Sequence, residues 1–449
     1  MDALILSSGG SIDPLIKSII KYRPDLIYFL HSEDSLVNVF EIISFFEVLE
    51  RLSLFDFHLR YKFKLIKEYQ DIEQVFAVSN EMISQLQKES YDVRIDFTGG
   101  TKPMSAGLIL ASIGNNCKYS YIGSKNSNGR EKNGVGAVKG GFELVIEQND
   151  PYESYAIFEF ERGKEFFDEY QFKAAKLNFE NAKNKTKSKE LKELAGIYIK
   201  IVEIYDLWDK FEIKKSKNTV LYHPFKKEIL NKINDDENLY NHFSQNYPKF
   251  LRQIENNIEF LEKKISYKKG VNVNNISYYL PDLLNNAQRR IEEGKYDDAV
   301  ARLYRAIELI AQIKLAREGY IDEKILLGKV FKIKKSEIEN LPEGYKIKHL
   351  IKSWPEYDDS NNVFKVGLFK NYCILACLNF DFAKKYLKDK DIQNNVDLRN
   401  GSILAHGLNR IKDEKAKDLI NQVLTYARYV CPSVDELMQQ AKFPKFKEK

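Results

Sequence analysis

Apolar and polar residues are distributed over the first 150 residues in a pattern that predicts strands and helices in alternation. Short apolar runs such as Leu26–Leu30 are typical of buried strands, and longer amphipathic stretches separate them. The predicted strands lie at or near 3–7, 26–30, 57–66, 93–97, 117–124 and 142–146, and the longest helices lie near 35–53 and 72–89. Strands that alternate with helices indicate a parallel, doubly wound sheet, so this region is predicted to be an α/β domain.

From Pro151 onward, the pattern changes to long helical stretches rich in Lys, Glu, Tyr and Phe. Small and large apolar residues recur at helical spacing in two segments, which predicts paired and packed helices. The matching positions are Phe172, Ala175, Phe179 and Ala182 in the first segment and Tyr296, Ala299, Leu303 and Ala306 in the second. Two copies are too few for a solenoid, so the region is predicted to be all-α without being a peptide-binding array.

The later part of the chain is divided by polar stretches. Further helices are predicted over 280–316, 364–388, 402–413 and 415–431, with a polar insertion at 324–362 and a frayed basic tail at 442–449. The best candidate for a linker is the stretch 268–275. The chain is therefore predicted to contain three domains, at 1–150, 151–279 and 280–449.

Composition sets limits on the class of protein. With 449 residues, 43% of them hydrophobic and 13% aromatic, the chain is too long for one core and too apolar to be disordered. Four cysteines are too few for a disulfide framework, and Cys373 and Cys377 lie in an apolar run typical of a helix core. The chain has no run of 18 apolar residues and no basic segment before its first apolar run. We therefore expect a cytoplasmic protein with no membrane partner.

Charge is divided unevenly along the chain. Residues 1–150 hold 16 Lys and Arg against 20 Asp and Glu, a net charge of −4, and the remainder holds 54 against 45, a net charge of +9. An excess of positive charge attracts polyanions. Because most lysines on helices simply face solvent, this excess only weakly indicates a nucleic-acid partner for the C-terminal two thirds.

A phosphate-binding loop is predicted at the end of the strand near 93–97. The sequence there, from Asp96 to Met104, is D-F-T-G-G-T-K-P-M. Its two glycines allow close backbone approach and expose N–H groups, the following helix N-terminus adds partial positive charge, and Lys102 adds a full one. The first glycine of a Walker A loop is missing, so an ATPase is disfavoured. A tight strand–helix turn with a solvated lysine is the alternative interpretation.

A second motif, R-N-G-S-I-L-A-H-G, runs from Arg399 to Gly407. Arg399 and His406 are seven residues apart, so on the predicted helix they would share one face, roughly 10 Å apart along the axis. Asn400 and Ser402 are natural N-cap residues that could start this helix inside the motif. A guanidinium can hold a phosphate while an imidazole moves a proton near neutral pH. The alternative is an arginine paired with an acidic neighbour and an ordinary helical histidine.

Together, the two motifs resemble those of a known family. R-N-G-S-I-L-A-H-G resembles the signature of HEPN ribonucleases, and D-F-T-G-G-T-K-P-M resembles that of CARF domains, the Rossmann-like sensors of cyclic oligoadenylates. In this order they resemble the CRISPR-associated CARF–HEPN ribonucleases of type III systems. The resemblance implies a Rossmann-like CARF sensor at 1–150, a helical linker domain at 151–279 and a HEPN ribonuclease domain at 280–449.

The resemblance also implies two sites. In the nuclease site, His406 would act as general acid or base, Arg399 would stabilise the pentavalent phosphorane, and Asn400 would orient a phosphate oxygen or Arg399 itself. In the sensor, the residues implied to contact cyclic oligoadenylate are Ser8, Gly9, Gly10, Thr98, Gly99, Gly100, Thr101, Lys102 and Met104.

The function implied is the cleavage of single-stranded RNA, switched on by cyclic oligoadenylate as an allosteric activator, with no metal or other cofactor. The substrate's own 2′-OH would attack, which gives a 2′,3′-cyclic phosphate. The single histidine of the motif does not easily supply both acid and base, so a homodimer is implied. The alternatives are a non-catalytic nucleotide-sensing regulator that binds nucleic acid, and a sensor that also degrades its activator.

Two further arginines precede the second motif, and both are left outside the catalytic set. Arg302 and Arg305 lie on a predicted helix and could line an RNA groove. Salt bridges to Asp298 and Glu308, one turn away on the same helix, explain them at least as well.

Overall fold

Two compact units make up the chain. The first holds Met1–Phe158 and Asn181–Lys192, and the second holds Glu159–Glu180 and Glu193–Lys449. The computed structural model describes residues 1–54, 58–125, 129, 138, 141–212, 222–266, 278–320, 332–334, 336, 357–358, 363–402 and 407–447.

Six strands form the sheet of the first unit. They are β1 Asp2–Ser7, β2 Leu26–His31, β3 Tyr61–Leu65, β4 Asp92–Asp96, β5 Lys118–Ser124 and β6 Glu143–Gln148. Their order is β3-β2-β1-β4-β5-β6, with β1 to β5 parallel and β6 antiparallel to β5. The predicted α/β fold is confirmed. The sheet is parallel over β1 to β5, as predicted, and the closing strand β6 is antiparallel to its neighbour.

Helices cover both faces of this sheet. They are α1 Asp13–Tyr22, α2 Leu36–Arg51, α3 Ile72–Lys88 and α4 Lys102–Ser112. Leu15 of α1 and Ile42 of α2 pack on one face, whereas Ile83 of α3 and Leu108 of α4 pack on the other. A strand covered on both faces is apolar at successive positions, which explains the continuous runs in β1 and β2.

The rest of the chain is mostly helical. Its helices are α5 Pro151–Ser154, α6 Ile157–Asp168, α7 Phe172–Lys185, α8 Lys189–Asp209, α9 Tyr222–Pro224, α10 Asn231–Asp235, α11 Glu237–Asn246, α12 Pro248–Ser266, α13 Tyr279–Glu292, α14 Tyr296–Arg317, α15 Leu368–Cys377, α16 Asp381–Lys388, α17 Lys390–Asp397, α18 Asp413–Val430 and α19 Val434–Gln440, with a π-helical turn at Phe225–Leu230. Three short strands, β7 Lys332–Lys334, β8 Tyr357–Asp358 and β9 Val363–Lys365, form a small antiparallel sheet. β7 and β8 lie within the predicted polar insertion, whereas β9 follows it and overlaps the predicted start of the helix over 364–388. The region is therefore not entirely helical.

The repeated apolar spacing lies on α7 and α14, as expected of packed helices. Ala175 and Phe179 on α7, and Ala299, Leu303 and Ala306 on α14, are all fully buried. Helix α14 packs against α13, α15 and α18, and their side chains form one continuous core. The interpretation of this spacing as a packing pattern is confirmed.

Two predicted helices are different in the structure. The stretch 364–388 is broken between α15 and α16 by a turn in which Asn379 has a left-handed φ of +66°, a conformation that asparagine tolerates. The helix predicted over 402–413 is wrong for the part that the structure describes, because Ser402 and residues 407–412 form bridges and loop. The two glycines of the motif, Gly401 and Gly407, favour a turn over a helix.

The basic tail is not frayed over Lys442–Lys447, which corrects the sequence-based expectation. Phe443 and Phe446 are 3% and 8% exposed and enter an aromatic core of the second unit. Phe446 stacks on Phe250, with ring centroids 4.2 Å apart and planes at 20°. The prediction failed because it weighed the lysines and ignored the two phenylalanines between them.

Candidate functional site

The predicted phosphate loop joins β4 to α4, at the carboxyl edge of the sheet. Thr101 is the N-cap of α4, and its Oγ1 accepts a hydrogen bond from the backbone N–H of Met104 at 3.3 Å. Pro103 lies in the first turn, where its missing N–H costs nothing. The loop therefore presents the N-terminus of an 11-residue helix at the ligand-binding edge of a doubly wound sheet.

Glycine is required where this loop meets the loop after β1. The Ser7 Oγ donates to Gly99 O at 2.6 Å, and a Cβ added to Gly99 would lie 2.2 Å from Ser7 O. Gly100 has a φ of +81°, and a Cβ there would also crowd Ser7 and Met104. The two loops are thus in backbone contact, which only glycine permits.

The loop after β1 lies against Gly100. The backbone N–H of Ser8 donates to Leu30 O at 2.8 Å, and the Ser8 side chain is buried. Gly9 O accepts from Asn38 Nδ2 at 2.6 Å, and a Cβ on Gly9 would lie 2.6 Å from Gly100 N. Gly10 is exposed and has open space around it. Gly9 and Gly10 therefore continue the surface formed by Gly99 and Gly100.

Several predicted ligand side chains instead support the fold. The Thr98 Oγ1 accepts from the backbone N–H of Ile122 at 2.7 Å, the Thr101 hydroxyl donates to Tyr69 O at 3.0 Å, and Met104 is fully buried. Lys102 is exposed, and within the described chain its ammonium has no hydrogen-bond or ion-pair partner. The surface of the loop thus offers glycine backbone and one free cation.

Asp96 anchors the loop, and the sequence analysis did not single it out. Its carboxylate accepts hydrogen bonds from Ser18 Oγ at 2.7 Å, from Ser120 Oγ at 3.0 Å and from the backbone N–H of Thr98 at 3.0 Å. Burial raises its pKa, and these hydrogen bonds act in the opposite direction. An acidic residue directly after the buried apolar positions Val93 and Ile95 was the available signal.

The second motif begins in a turn after α17. The backbone N–H of Arg399 donates to Val396 O at 3.2 Å, that of Asn400 donates to Asp397 O at 2.9 Å, and Ser402 Oγ donates to Arg399 O at 2.8 Å. These short-range bonds form successive turns. Arg399 and Asn400 are therefore held on a compact, hydrogen-bonded segment of the second unit.

The guanidinium of Arg399 remains available for a ligand. Its carbon lies 5.1 Å from the ring centroid of Tyr304, and its Nη1 donates weakly to Asn400 Oδ1 at 3.4 Å. Among the described residues, no carboxylate pairs with it, so the alternative of an acidic partner is not borne out there. An arginine positioned by an aromatic ring and an amide, but not neutralised, is suited to binding a phosphate.

The two ends of the motif are in contact, because Gly407 lies against Gly401 and Ser402. The backbone N–H of Gly407 donates to Ser402 O at 3.2 Å, and that of Asn409 donates to Gly401 O at 3.1 Å. A Cβ on Gly407 would lie 2.1 Å from Gly401 O, so glycine is required at this crossing. The chain thus returns, at Gly407, to the residue two positions after Arg399. His406 itself lies outside the described residues, with 403–405.

Beside Arg399 the second unit contains a cavity of about 360 Å³. Its lining comes from α14, the start of α15, α16, α17 and the motif itself. The lining residues are Tyr304, Gly367, Leu368, Phe369, Lys370, Tyr386, Gln393, Val396, Asp397 and Asn400. This cavity is not evident from the sequence, because Tyr304 lies far along the chain from the lining residues at 367–400.

The two arginines of α14 are engaged in salt bridges. Arg302 Nη1 lies 3.0 Å from Asp298 Oδ1, and Arg305 Nη1 lies 2.8 Å from Glu308 Oε2. Their exclusion from the catalytic set is therefore supported.

Within the part of the chain that the structure describes, no group of three or more His, Cys, Asp and Glu side chains could hold a metal ion. Nor does any helix there have the length and apolarity needed to cross a bilayer.

Comparison with known proteins gives a family for the C-terminal region and a fold for the chain. A family model described as the Csm6 HEPN domain matches residues 268–430, which include both Arg399 and His406. A comparison with curated protein sequences gives no match.

Among solved structures, the chain is similar to Enterococcus italicus Csm6 bound to cyclic hexa-2′-fluoro-hexa-dAMP, with 14% identity, 98% of each chain covered and a TM-score of 0.55. Two partial matches each have a TM-score of 0.23. One, to a type III CRISPR defence DNA nuclease activated by cyclic oligoadenylate, has 14% identity and covers 46% of this chain and 34% of that one. The other, to Can2 from Sulfobacillus thermosulfidooxidans in complex with cyclic tetra-adenylate, has 11% identity and covers 47% of this chain and 68% of that one.

The HEPN match and the full-length similarity of fold agree with the order of the two motifs. A Rossmann-like unit with the glycine loop comes first, and a helical unit with the R-N-G-S-I-L-A-H-G motif follows. Residues 268–430 therefore match a HEPN domain of the Csm6 type, and the chain as a whole shares the fold of Csm6.

Proposed function

We propose that this protein is an endoribonuclease of type III CRISPR antiviral defence that cyclic oligoadenylate activates. The observation that carries the proposal is the match of the Csm6 HEPN domain to 268–430, a region in which Arg399 has no carboxylate partner among the residues that the structure describes. The return of the chain at Gly407 supports His406 as the partner of Arg399 in one site.

The sensor is the glycine surface of the first unit. Backbone N–H groups of the two loops, the N-terminus of α4 and the exposed ammonium of Lys102 provide positive potential for the phosphates of a cyclic oligoadenylate. Because the first 150 residues carry a net charge of −4, these local donors and not the overall charge must attract the ligand. The similar Csm6 of Enterococcus italicus was solved with a cyclic hexanucleotide analogue.

The chemistry uses the 2′-OH of the RNA as the nucleophile. Its oxygen forms a bond to the adjacent phosphorus, the P–O5′ bond breaks, one imidazole takes the 2′ proton, and an acid gives a proton to the leaving 5′ oxygen. The products are a 2′,3′-cyclic phosphate and a 5′-OH. Arg399 stabilises the charge that builds on the phosphorane, and Asn400, whose Oδ1 faces the guanidinium, orients it.

Two copies of the chain supply the acid and the base. Each chain has one histidine in the motif, so a homodimer that brings two motifs to one cleft provides both proton carriers. A two-fold sensor pair also suits a ring-shaped ligand with its own symmetry. We propose the homodimer on this ground.

The proposal is tested by incubating the purified protein with labelled single-stranded RNA, with and without cyclic tetra-adenylate or cyclic hexa-adenylate. One ring is expected to trigger cleavage, in EDTA as well as in Mg²⁺, with 2′,3′-cyclic phosphate ends. Linear oligoadenylate of the same length is the control. RNA that is shifted but not cut would favour a non-catalytic regulator, and loss of cleavage in EDTA would redirect the search to a metal site.

Slow degradation of the activator is not part of the proposal. Ser8 and Thr98, the two hydroxyl residues considered for it, are occupied inside the fold. The Ser8 Oγ is buried and donates to Ser35 O at 3.4 Å, and the Thr98 Oγ1 accepts from Ile122 N.

A further inference from the structure

The cavity beside Arg399 shares two residues with the surroundings of the guanidinium. The ring of Tyr304 lies under the guanidinium of Arg399, and Asn400 accepts a weak hydrogen bond from that guanidinium. Both Tyr304 and Asn400 also line the cavity. A phosphate held by Arg399 would therefore lie within one nucleotide of the cavity mouth. With about 360 Å³, the cavity is near the lower end of the range of about 300–1,000 Å³ that small-ligand pockets have. That volume suits one planar ring system.

Aromatic side chains form part of the wall. Phe369, in the first turn of α15, is 52% exposed and has no ring partner among the described residues. Tyr386 is buried and its ring stacks on Tyr372, with centroids 3.8 Å apart, so its face is already occupied. One exposed phenylalanine is ordinary on any surface. At the rim of a cavity next to a phosphate-binding arginine, it is a platform on which a base can stack.

Two polar side chains of the wall, those of Gln393 and Asp397, offer hydrogen-bond acceptors. The Gln393 amide nitrogen donates to Tyr386 O at 2.7 Å, which leaves its carbonyl oxygen. The Asp397 carboxylate receives only a long hydrogen bond from Asn400 Nδ2, at 3.4 Å. Within the described chain, neither oxygen has another donor. Acceptors of this kind bind the exocyclic amino groups of adenine and cytosine, and uracil has no such group.

We propose that this cavity is a nucleobase-binding subsite for the RNA strand, in which Phe369 stacks on the base and Gln393 and Asp397 select one that carries an exocyclic amino group. The subsite deepens the proposed function and rests on it, because the phosphate at Arg399 is the one next to the bound base. It assigns RNA sequence preference to residues outside the R-N-G-S-I-L-A-H-G motif.

The test uses the full-length protein with its activating ring and three fluorescent RNA hexamers, oligo-A, oligo-C and oligo-U, fully 2′-O-methylated so that they bind without being cut. Anisotropy titrations are expected to give tighter binding of oligo-A and oligo-C than of oligo-U. Loss of one stacking contact predicts that Phe369→Ala weakens oligo-A binding by about 5- to 150-fold. Asp397→Asn should reduce the ratio of oligo-A to oligo-U affinity, because an amide can donate to uracil and no longer favours an amino group.

The matched control is Tyr240→Ala on α11, an aromatic residue 47% exposed that does not line the cavity. Tyr240→Ala should change neither the RNA affinity nor the ratio of oligo-A to oligo-U affinity. Equal binding of oligo-A and oligo-U by the unaltered protein would overturn the base preference, and unchanged affinities in Phe369→Ala would overturn the subsite.

Cleavage of unmethylated RNA by the same preparations separates this inference from the proposed function. If the activated protein does not cut RNA at all, the proposed function fails, while the binding ratios still decide on the subsite. If it cuts and the variants bind like the unaltered protein, only the subsite fails.

Discussion

Replacing Phe446 by alanine is expected to lower the free energy of unfolding of the second unit by about 3–5 kcal/mol. The ring is 8% exposed, stacks on Phe250 at 4.2 Å and makes edge contacts with Tyr198 at 5.2 Å and Tyr247 at 5.3 Å. Because Phe250 and Tyr198 are themselves buried by other elements, they cannot move far to fill the space left by the ring. The upper part of this range is therefore expected.

The measurement is equilibrium urea unfolding, followed by tryptophan fluorescence. Trp208 is fully buried in the same aromatic core, with its ring centroid 5.0 Å from that of Phe443, so it reports on this region. Lys445→Ala is the control in the same segment. It removes an ion pair to Glu292, 3.2 Å long, whose side chains are 32% and 36% exposed, and such pairs contribute about 1 kcal/mol or less.

A loss of less than about 1 kcal/mol in Phe446→Ala, equal to that in Lys445→Ala, would refute the packing described for the C-terminal segment. A loss near the expected value is a large share of the stability of an ordinary domain, about 5–15 kcal/mol. The last residues of the chain would then be required for the unit that carries the nuclease motif.

Three further predictions concern the sensor. Gly99→Ala should abolish activation because its Cβ would lie 2.2 Å from Ser7 O. Gly196→Ala on α8, outside the sensor and with open space around the added Cβ, should be activated normally in the same RNA-cleavage assay. Lys102→Ala should raise the activator concentration for half-maximal cleavage by about tenfold or more without lowering the maximal rate. The control Lys88→Ala should leave that concentration unchanged. A lower maximal rate at unchanged activator affinity in Lys102→Ala would contradict this prediction. Burial raises the pKa of Asp96, so the first unit should lose stability as pH rises from the unfolded value of about 3.9 through the higher folded value. Asp96→Asn should remove that loss of stability when urea unfolding is measured from pH 3 to 7. If the free energy of unfolding depended on pH in the same way in both proteins, the loss could not be assigned to Asp96.

Periodic apolar patterns were sufficient to predict the sheet and most helices. The continuous runs of β1 and β2 and the amphipathic period of α3 arise from burial that the sequence records directly. The orientation of β6 was not predictable in this way, because the same alternating run fits either direction. The glycines of the sensor loop were predicted correctly as sites of close backbone approach, because the contact of Gly99 with Ser7 O leaves no room for any other residue at that position.

The parts that were missed depend on contacts between distant segments. Asp96 is satisfied by hydroxyls of Ser18 and Ser120, which lie 78 and 24 positions away in the sequence. The cavity beside Arg399 is formed by four helices and the motif, so no local sequence pattern predicts it. The prediction of a helix after Arg399 was wrong because it relied on the helical spacing of Arg399 and His406. It gave too little weight to the preference of Gly401 and Gly407 for turns. The three domain boundaries and the roles of the site residues remain predictions.

The most direct measurement of the central claim is the cleavage rate of activated protein at saturating RNA in Arg399→Ala and His406→Ala, with Arg428→Ala as the control. Arg428 is an arginine already paired with Asp435 at 2.8 Å, so its loss should leave the rate unchanged. Removal of the imidazole should cost about 10²–10⁴-fold and removal of the guanidinium about 10²–10³-fold, while both variants still bind the ring. Cleavage within a few-fold of the unaltered rate in either variant would contradict the assignment of this site.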